Sequence, residues 1–265
     1  MTLPPGGDLT ETLREAAAGA EVLAVGGGDG SVNAAAGVAI EAGLPLLVLP
    51  GGTFNHFAAD LGVPRVADAI RALREGTAIR VDVGTIGDAA DGARDGSKVF
   101  VNTASLGSYP SFVAKRERWE SRLGKRVAAA LAIVAVLRSE RLLRAVINGR
   151  QHLLAMVFIG NGRYQPHGFA PSWRPRLDDG ILDVRVVDAG HRLAAIRLLG
   201  SLATGRLGRS RVYVEAGSAG LRVSLPDGPT ALAWDGEIGP GSAELRFGTA
   251  RRVLTVYRPS IRGFL

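Results

Sequence analysis

No cysteine occurs among the 265 residues, which removes disulfides, thiolate zinc sites and cysteine nucleophiles from consideration and fits a reducing compartment. Lysine is scarce as well: of 32 basic residues only Lys98, Lys115 and Lys125 are lysines, the rest being arginine. Aromatic residues make up 6% of the chain and do not alternate with the scattered bases, so the stacking pattern of a nucleic-acid binder is missing and no nucleic-acid partner is expected. Long apolar runs are absent too. The longest, Val127 to Leu137, is far short of the roughly 20 residues that a membrane span requires. The opening MTLPPGGDLTETLREAAAGA has no basic start followed by an apolar core, and so is not a signal peptide. These absences describe a cytoplasmic chain that touches the inner face of a membrane peripherally at most. The net charge of +7 would suit an anionic surface or a phosphorylated substrate, although an arginine-rich composition also follows from a GC-rich genome.

What is abundant is glycine, 36 residues of it, within an ordinary globular composition that is 46% hydrophobic. The length allows one large or two modest domains, each with its own core. The first third alternates helix and strand patterns. Leu9 to Ala18 reads as a helix opened by Asp8 or Thr10, Val22 to Val25 as a short buried strand, and Asp29 to Ala42 as a helix stopped by Gly43. LPLLVLP is a second buried strand, NHFAADLGV a short helix, and RVADAIRALREG a helix with apolar positions at Val66, Ala69, Ile70 and Leu73. Strand, crossover helix and strand predict a parallel sheet. From Ile79 onward strands dominate, interrupted by helical stretches over Phe112 to Ser139 and His191 to Thr204, and GDAADGARDGSK reads as a polar loop.

Two glycine-rich segments each follow a predicted parallel strand: VGGGDGS and PGGTFNHFA. A turn of this kind that opens a helix presents backbone N–H groups to phosphate. Neither segment is a P-loop, because no lysine follows the glycines, and the spacing is not G-x-G-x-x-G. Asp29 stands where those loops carry no acid. It reads either as a helix cap or as a carboxylate meant for a magnesium ion travelling with phosphates. Gly51 and Gly52 allow close backbone approach, while Thr53 and Asn55 offer a hydroxyl and an amide. Both loops should emerge at one sheet edge, where open α/β sheets bind ligands. In WDGEIG, Asp235 and Glu237 lie two apart, so an extended segment would turn both to one side; the same residues also read as a hairpin turn.

GGDGSVN and PGGTFNHFA resemble the two nucleotide-binding motifs of the diacylglycerol kinase-like lipid kinases, the family of diacylglycerol, sphingosine and ceramide kinases. FVNTASLG resembles the family's strand into its second domain, NGRYQPHGFAPSWRPRLDDGILDVRVV its loop and Asp-Gly turn, and WDGEIG its D-G-E motif. The resemblance implies an α/β nucleotide-binding domain over residues 1–84, truncated at its first strand, then a β-sandwich-like domain with helices over 85–265 whose last residues return to the first. It implies ATP and Mg²⁺ as cofactors, a place in phospholipid metabolism, and transfer of the γ-phosphate to a hydroxyl of diacylglycerol or a related lipid. By resemblance ATP is held by Gly27, Gly28, Asp29, Gly30, Ser31, Val32 and Asn33, with Thr53 and Asn55 of the second loop. Glu237 is then the general base with Asp235 beside it. A structural magnesium is held by the Asp179 carboxylate and the backbone carbonyls of Arg176 and Ile181, where the residues alone favour a metal-free turn.

Two departures stand out. His56 occupies the place of the family's usual aspartate, and the chain starts near the family's second helix, as a misplaced start or a fragment would. The expected partner is lipid at a membrane surface, with a homodimer open. The basic stripe Lys115, Arg118 and Arg122 on a helix with Trp119 would serve that contact. A solvated charged face is the alternative. The functional alternatives are a soluble-substrate kinase resembling NAD kinase, which shares a G-G-D-G loop, and a non-catalytic module that binds nucleotide or lipid.

Overall fold

The computed structural model describes residues 7–88, 98–138, 142–167, 171–190, 193–204 and 206–260. Helix α1 (Leu9–Ala17) is capped by Asp8, whose carboxylate accepts the N–H groups of Thr10 at 2.8 Å and Glu11 at 3.2 Å. Strand β1 (Leu23–Gly27), helix α2 (Asp29–Ala42) and strand β2 (Leu46–Pro50) follow as predicted. The strands run parallel with Leu23 opposite Leu46 and Gly27 opposite Pro50, so both glycine loops leave the sheet at one edge.

Next come α3 (His56–Asp60) and α4 (Val66–Glu75). Here the apolar pattern misleads. Val66, Ile70 and Leu73 are exposed, and α4 turns Ala69, Ala72 and Asp68 inward. Alanine lets the helix approach the sheet closely, and Asp68 is paired with Arg65 and Arg71 at 3.2 and 3.0 Å.

The remainder is β3 (Ala78–Asp88), β4 (Lys98–Phe100), β5 (Thr103–Gly107), α5 (Tyr109–Leu123), α6 (Lys125–Leu137), β6 (Leu143–Ile147), β7 (Arg150–Asn161), β8 (Leu182–Asp188), α7 (Ala194–Ala203), a 3₁₀ turn over Leu207–Arg209, β9 (Tyr213–Ser218), β10 (Gly220–Ser224), β11 (Ala231–Trp234), β12 (Glu237–Pro240) and β13 (Glu244–Tyr257). The single helical stretch expected after Phe112 is two helices meeting at Gly124. Most of the expected polar loop, residues 89–97, lies outside the described residues.

The hydrogen-bonded path runs β1-β2-β13-β10-β6-β7-β5-β11-β12, with β3 beside β13 and β4, and β8 between β7 and β9. Strand β13 pairs antiparallel with β3 from Leu245 to Tyr257, and it meets β2 in parallel at Val256 opposite Leu46. One continuous strand thereby joins the N-terminal parallel pair to the antiparallel remainder. No helix of the described residues is long and apolar enough to cross a membrane. Lys115, Arg118 and Arg122 are exposed on α5, but Trp119 packs against the core beneath α5, α6 and α7. Trp119 is half-buried there, so its apolar surface is shared between that core and solvent while the basic stripe faces outward.

One buried ion pair fastens the α3 end to the second half of the chain. The Arg174 side chain is 0% exposed and the Asp60 side chain 3%, with Nε of Arg174 donating to Asp60 at 2.7 Å. The same guanidinium donates to the carbonyls of Val101 at 2.7 Å and Asn161 at 2.8 Å. Removing one partner of a buried pair strands the other charge without solvent. Arg174→Met should lower the unfolding free energy by ~3–5 kcal/mol, measured by urea denaturation, and Asp60→Asn in the same chain should restore part of it. An unchanged midpoint would show that the pair does not hold the fold.

Candidate active site

The two glycine loops pack backbone on backbone. The N–H of Gly51 donates to the carbonyl of Gly27 at 3.1 Å, and a Cβ added at Gly52 would lie 2.3 Å from the Cα of Gly28. Part of the glycine excess therefore serves loop-to-loop contact, which no single loop reveals. The Ser31 side chain lies over Gly27, where an added Cβ would come within 2.8 Å of it. Gly28, Asp29, Gly30 and Thr53 line a cleft of about 410 Å³.

Three residues assigned to the nucleotide face elsewhere. Val32 is buried in the core. Asn33 is buried and its amide donates to the carbonyl of Val99 at 3.1 Å, bracing α2 against β4. The Asn55 amide is used within its own loop, accepting from the Gly52 N–H at 2.8 Å and donating to the Gly52 carbonyl at 2.7 Å. These are corrections to the expected nucleotide set: the first helical turn presents backbone to the cleft, and helical periodicity then carries the following side chains inward.

Asp29 gathers three donors: the N–H groups of His56 at 3.4 Å and Phe57 at 3.3 Å, and the amide of Asn102 at 3.1 Å. His56 thus supplies backbone to Asp29, while its ring lies parallel to that of Phe54 with centroids 5.6 Å apart. Asn102 is in turn held by Arg174, which donates to its side-chain oxygen at 3.0 Å.

Asp235 and Gly236 form the two-residue turn between β11 and β12, with φ of 42° and 91° and with Trp234 opposite Glu237. The extended-segment reading is therefore overturned in favour of the hairpin. Asp235 and Glu237 do not share a face: Asp235 is 4% exposed, whereas Glu237 is exposed on the rim of a second groove of about 320 Å³. The chain bends between β4 and β5, so three consecutive N–H groups converge on the Asp235 carboxylate, from Val101 at 2.6 Å, Asn102 at 3.0 Å and Thr103 at 2.8 Å. Burial pushes this carboxyl up to about 7, against the pull of those donors and of Arg174.

Cleft and groove adjoin. Thr103, Tyr109, Val113, Glu117, Asp235 and Gly236 line both, while Pro110, Ala114 and Ile238 make the groove apolar. Burial raises the hydroxyls of Tyr109, to about 12, and of Tyr164, so both stand neutral in the cleft wall.

The donors expected for a structural magnesium come together around Gly162, whose φ is +83°. A Cβ there would lie 3.3 Å from the carbonyl oxygen of Arg176 and 3.7 Å from Oδ1 of Asp179, and the Gly162 N–H donates to the carbonyl of Ile181 at 2.8 Å. Asp179 also accepts the N–H groups of Arg163 and Ile181, each at 3.1 Å. One carboxylate and two carbonyls are a hard-oxygen set that fits Mg²⁺ completed by water. Among the described residues no group of three His, Cys, Asp or Glu side chains forms a metal cluster. Asp82 anchors the loop by accepting the Gly180 and Arg252 N–H groups at 2.7 Å each.

Sequence reading passed over Asp60, Asn102 and Arg174. An acid in the last turn of α3 opposes the helix dipole, and an asparagine inside the apolar run FVNTASLG asks for a partner. Those were the available signals. Arg174, one arginine among many, gave none.

Residues 2–86 match the family described as diacylglycerol kinase catalytic domain, and residues 110–256 match the YegS C-terminal NAD kinase beta sandwich-like domain. A protein of Pseudomonas aeruginosa (strain UCBPP-PA14) named "Probable lipid kinase YegS-like" is 30% identical over 96% of this chain and 82% of its own. One from Mycobacterium tuberculosis named "Diacylglycerol kinase" is 27% identical over 76% of this chain and 67% of its own. The crystal structure of a diacylglycerol kinase from Bacillus anthracis str. Sterne superposes with a TM-score of 0.65 at 19% identity, covering 98% of this chain and 85% of that one, which shows a shared fold. With its motifs, its fold and its relatives in agreement, the chain belongs to the bacterial diacylglycerol kinase-like family of YegS-like lipid kinases.

Proposed function

We propose that this kinase transfers the γ-phosphate of ATP to a hydroxyl of diacylglycerol or a related lipid. The observation that carries the reading is the junction of a glycine-walled cleft containing Asp29 with an apolar groove, with Asp235 lying in both walls. Helix α2 starts without a side-chain cap, at Gly28, so its first N–H groups are available to phosphate oxygens. Thr53 faces them from the second loop. Asp29 would hold a nucleotide-borne Mg²⁺, and Asp179 with the Arg176 and Ile181 carbonyls a structural one. The metal supplies charge neutralisation on the phosphates.

Pro110, Val113, Ala114 and Ile238 receive the acyl portion of the acceptor and exclude water from the junction. Asp235 takes the hydroxyl proton: it is fixed by three N–H groups, and a carboxyl that titrates near the working pH is the efficient kind of base. This reading prefers Asp235 to Glu237, the base implied by resemblance. Glu237 then sits at the groove rim and orients the acceptor.

The test is transfer of ³²P from γ-labelled ATP with Mg²⁺ to diacylglycerol in mixed micelles. Asp235→Asn should abolish labelled lipid, with a loss of ~10²–10⁴-fold, while Glu237→Gln should retain most of the rate. The reverse ranking would return the base to Glu237. The similarity of residues 110–256 to an NAD kinase-like domain favours a soluble acceptor as the second reading. Label recovered in the aqueous phase on a dinucleotide would establish it, and nucleotide binding without transfer would establish a non-catalytic module.

The pH dependence follows from Asp235. Protonated, it cannot accept a proton, so kcat/KM should rise with pH through a midpoint of about 7. A profile flat from pH 5 to pH 8 would remove Asp235 from the proton path.

A further inference from the structure

Phosphate-bearing substrates bring several negative charges into a cleft that already holds the carboxylates Asp29, Asp235 and Glu117. Among the described lining residues the cations available to meet them are Arg116 and, when protonated, His56. Arg116 sits on α5 at a spacing of seven from Tyr109 and three from Val113, so these side chains share the helix face that forms one cleft wall. Its side chain is 16% exposed. The buried Nε has no hydrogen-bond acceptor among the described residues. Its ion pairs are loose and local: Glu117, the next residue, at 3.5 Å and Glu120, one turn on, at 3.6 Å. Charge-assisted hydrogen bonds of this kind close to about 2.7–2.9 Å when satisfied. A buried polar atom without a partner is costly, and the Nε–Nη edge of a guanidinium matches two oxygens of a phosphate.

We propose that Arg116 is a phosphoryl-binding catalytic residue, which leaves Glu117 and Glu120 and closes its Nε–Nη fork on the γ-phosphoryl group as it transfers. The inference rests on the phosphoryl-transfer reading above. In the step, the bond between γ-phosphorus and the bridging oxygen breaks, and its electron pair stays on ADP. The acceptor oxygen bonds to phosphorus and its proton passes to Asp235. Arg116 stabilises the charge spread over the three equatorial oxygens. Arg116 lines the cleft with Asp29 and Thr53 and does not line the apolar groove, which places it on the donor side. The shared chemistry, a phosphoryl group, also exists on acceptor lipids with a phosphate headgroup, so both kinds of acceptor enter the test.

The experiment compares the unaltered chain with Arg116→Ala and Arg116→Lys on uncharged diacylglycerol and on a phosphate-bearing glycerolipid. Arg116→Ala should lose ~10²–10³-fold in kcat on both acceptors, with KM for ATP changing far less. Added guanidinium ion, below concentrations that unfold the chain, should restore part of the rate, and potassium chloride at equal strength should not. Arg116→Lys should recover only part, because an ammonium cannot fork. Binding supplies a second readout: Arg116→Ala should bind ADP as the unaltered chain does, yet lose the extra affinity that tetrafluoroaluminate confers on ADP. Full activity in Arg116→Ala, or an undiminished tetrafluoroaluminate gain, would overturn the proposal. A loss confined to the phosphate-bearing lipid would also overturn it and move Arg116 to the headgroup. Failure of the lipid-kinase reading looks different: the unaltered chain then labels no lipid, while the tetrafluoroaluminate comparison still reports on Arg116.

Discussion

The buried guanidinium of Arg174 is the interaction on which the site depends. It grips Asp60 at the end of α3, the carbonyls of Val101 and Asn161, and the side-chain oxygen of Asn102. Through Asn102 it orients the amide that Asn102 gives to Asp29. By holding the bend at residues 101–103 it also fixes the three N–H groups that hold Asp235. Two carboxylates more than two hundred positions apart in the chain are thus set in place by one side chain. A buried charge of this kind is tolerated because each of its three nitrogens meets at least one oxygen, and it is unforgiving for the same reason.

The cleft walls follow a similar economy. Gly28 and Gly52 touch where no Cβ could stand, so the two loops behave as one rigid floor, and Asn55 stiffens it by bonding to Gly52 on both sides. A rigid floor of backbone N–H groups suits an anion, since little reorganisation is left to make when the charge arrives. Opposite it, α5 presents tyrosine, valine, arginine and glutamate along one face, a mixed surface suited to a phosphate at one end and an acyl chain at the other. Tyr109 on that wall and Tyr164 elsewhere in the cleft lining stand neutral, their hydroxyls raised by burial.

Position 56 of the second loop touches Asp29 through its backbone. With His56 in the usual aspartate's place, Asp29 receives a backbone N–H from that position, and the imidazole stacks on the exposed Phe54. The position therefore keeps its contact with Asp29 while changing what its side chain does.

The alternation of β1, α2 and β2, the glycine stops, the Asp8 cap and the shared edge of the two loops were legible in the sequence, because each rests on periodicity or on the chemistry of adjacent residues. So was the D-G turn, as one of two readings: both positions take positive φ, which aspartate and glycine accept more readily than most residues. The inward face of α4 was not legible, because alanine at close approach outcompetes larger apolar residues only when a particular sheet lies beneath. Nor were the inward turns of Asn33 and Asn55, whose partners are backbone groups rather than ligand. Local pattern and motif sufficed for the family, for the strand-helix-strand order of the first third and for which loops meet at the cleft. It took the folded chain to show that Asp235 is buried while Glu237 is exposed, that Arg174 ties the halves together, and that Arg116 lines the cleft with a buried Nε that has no acceptor among the described residues. Those facts depend on contacts between residues far apart in the chain, and local pattern carries no record of them.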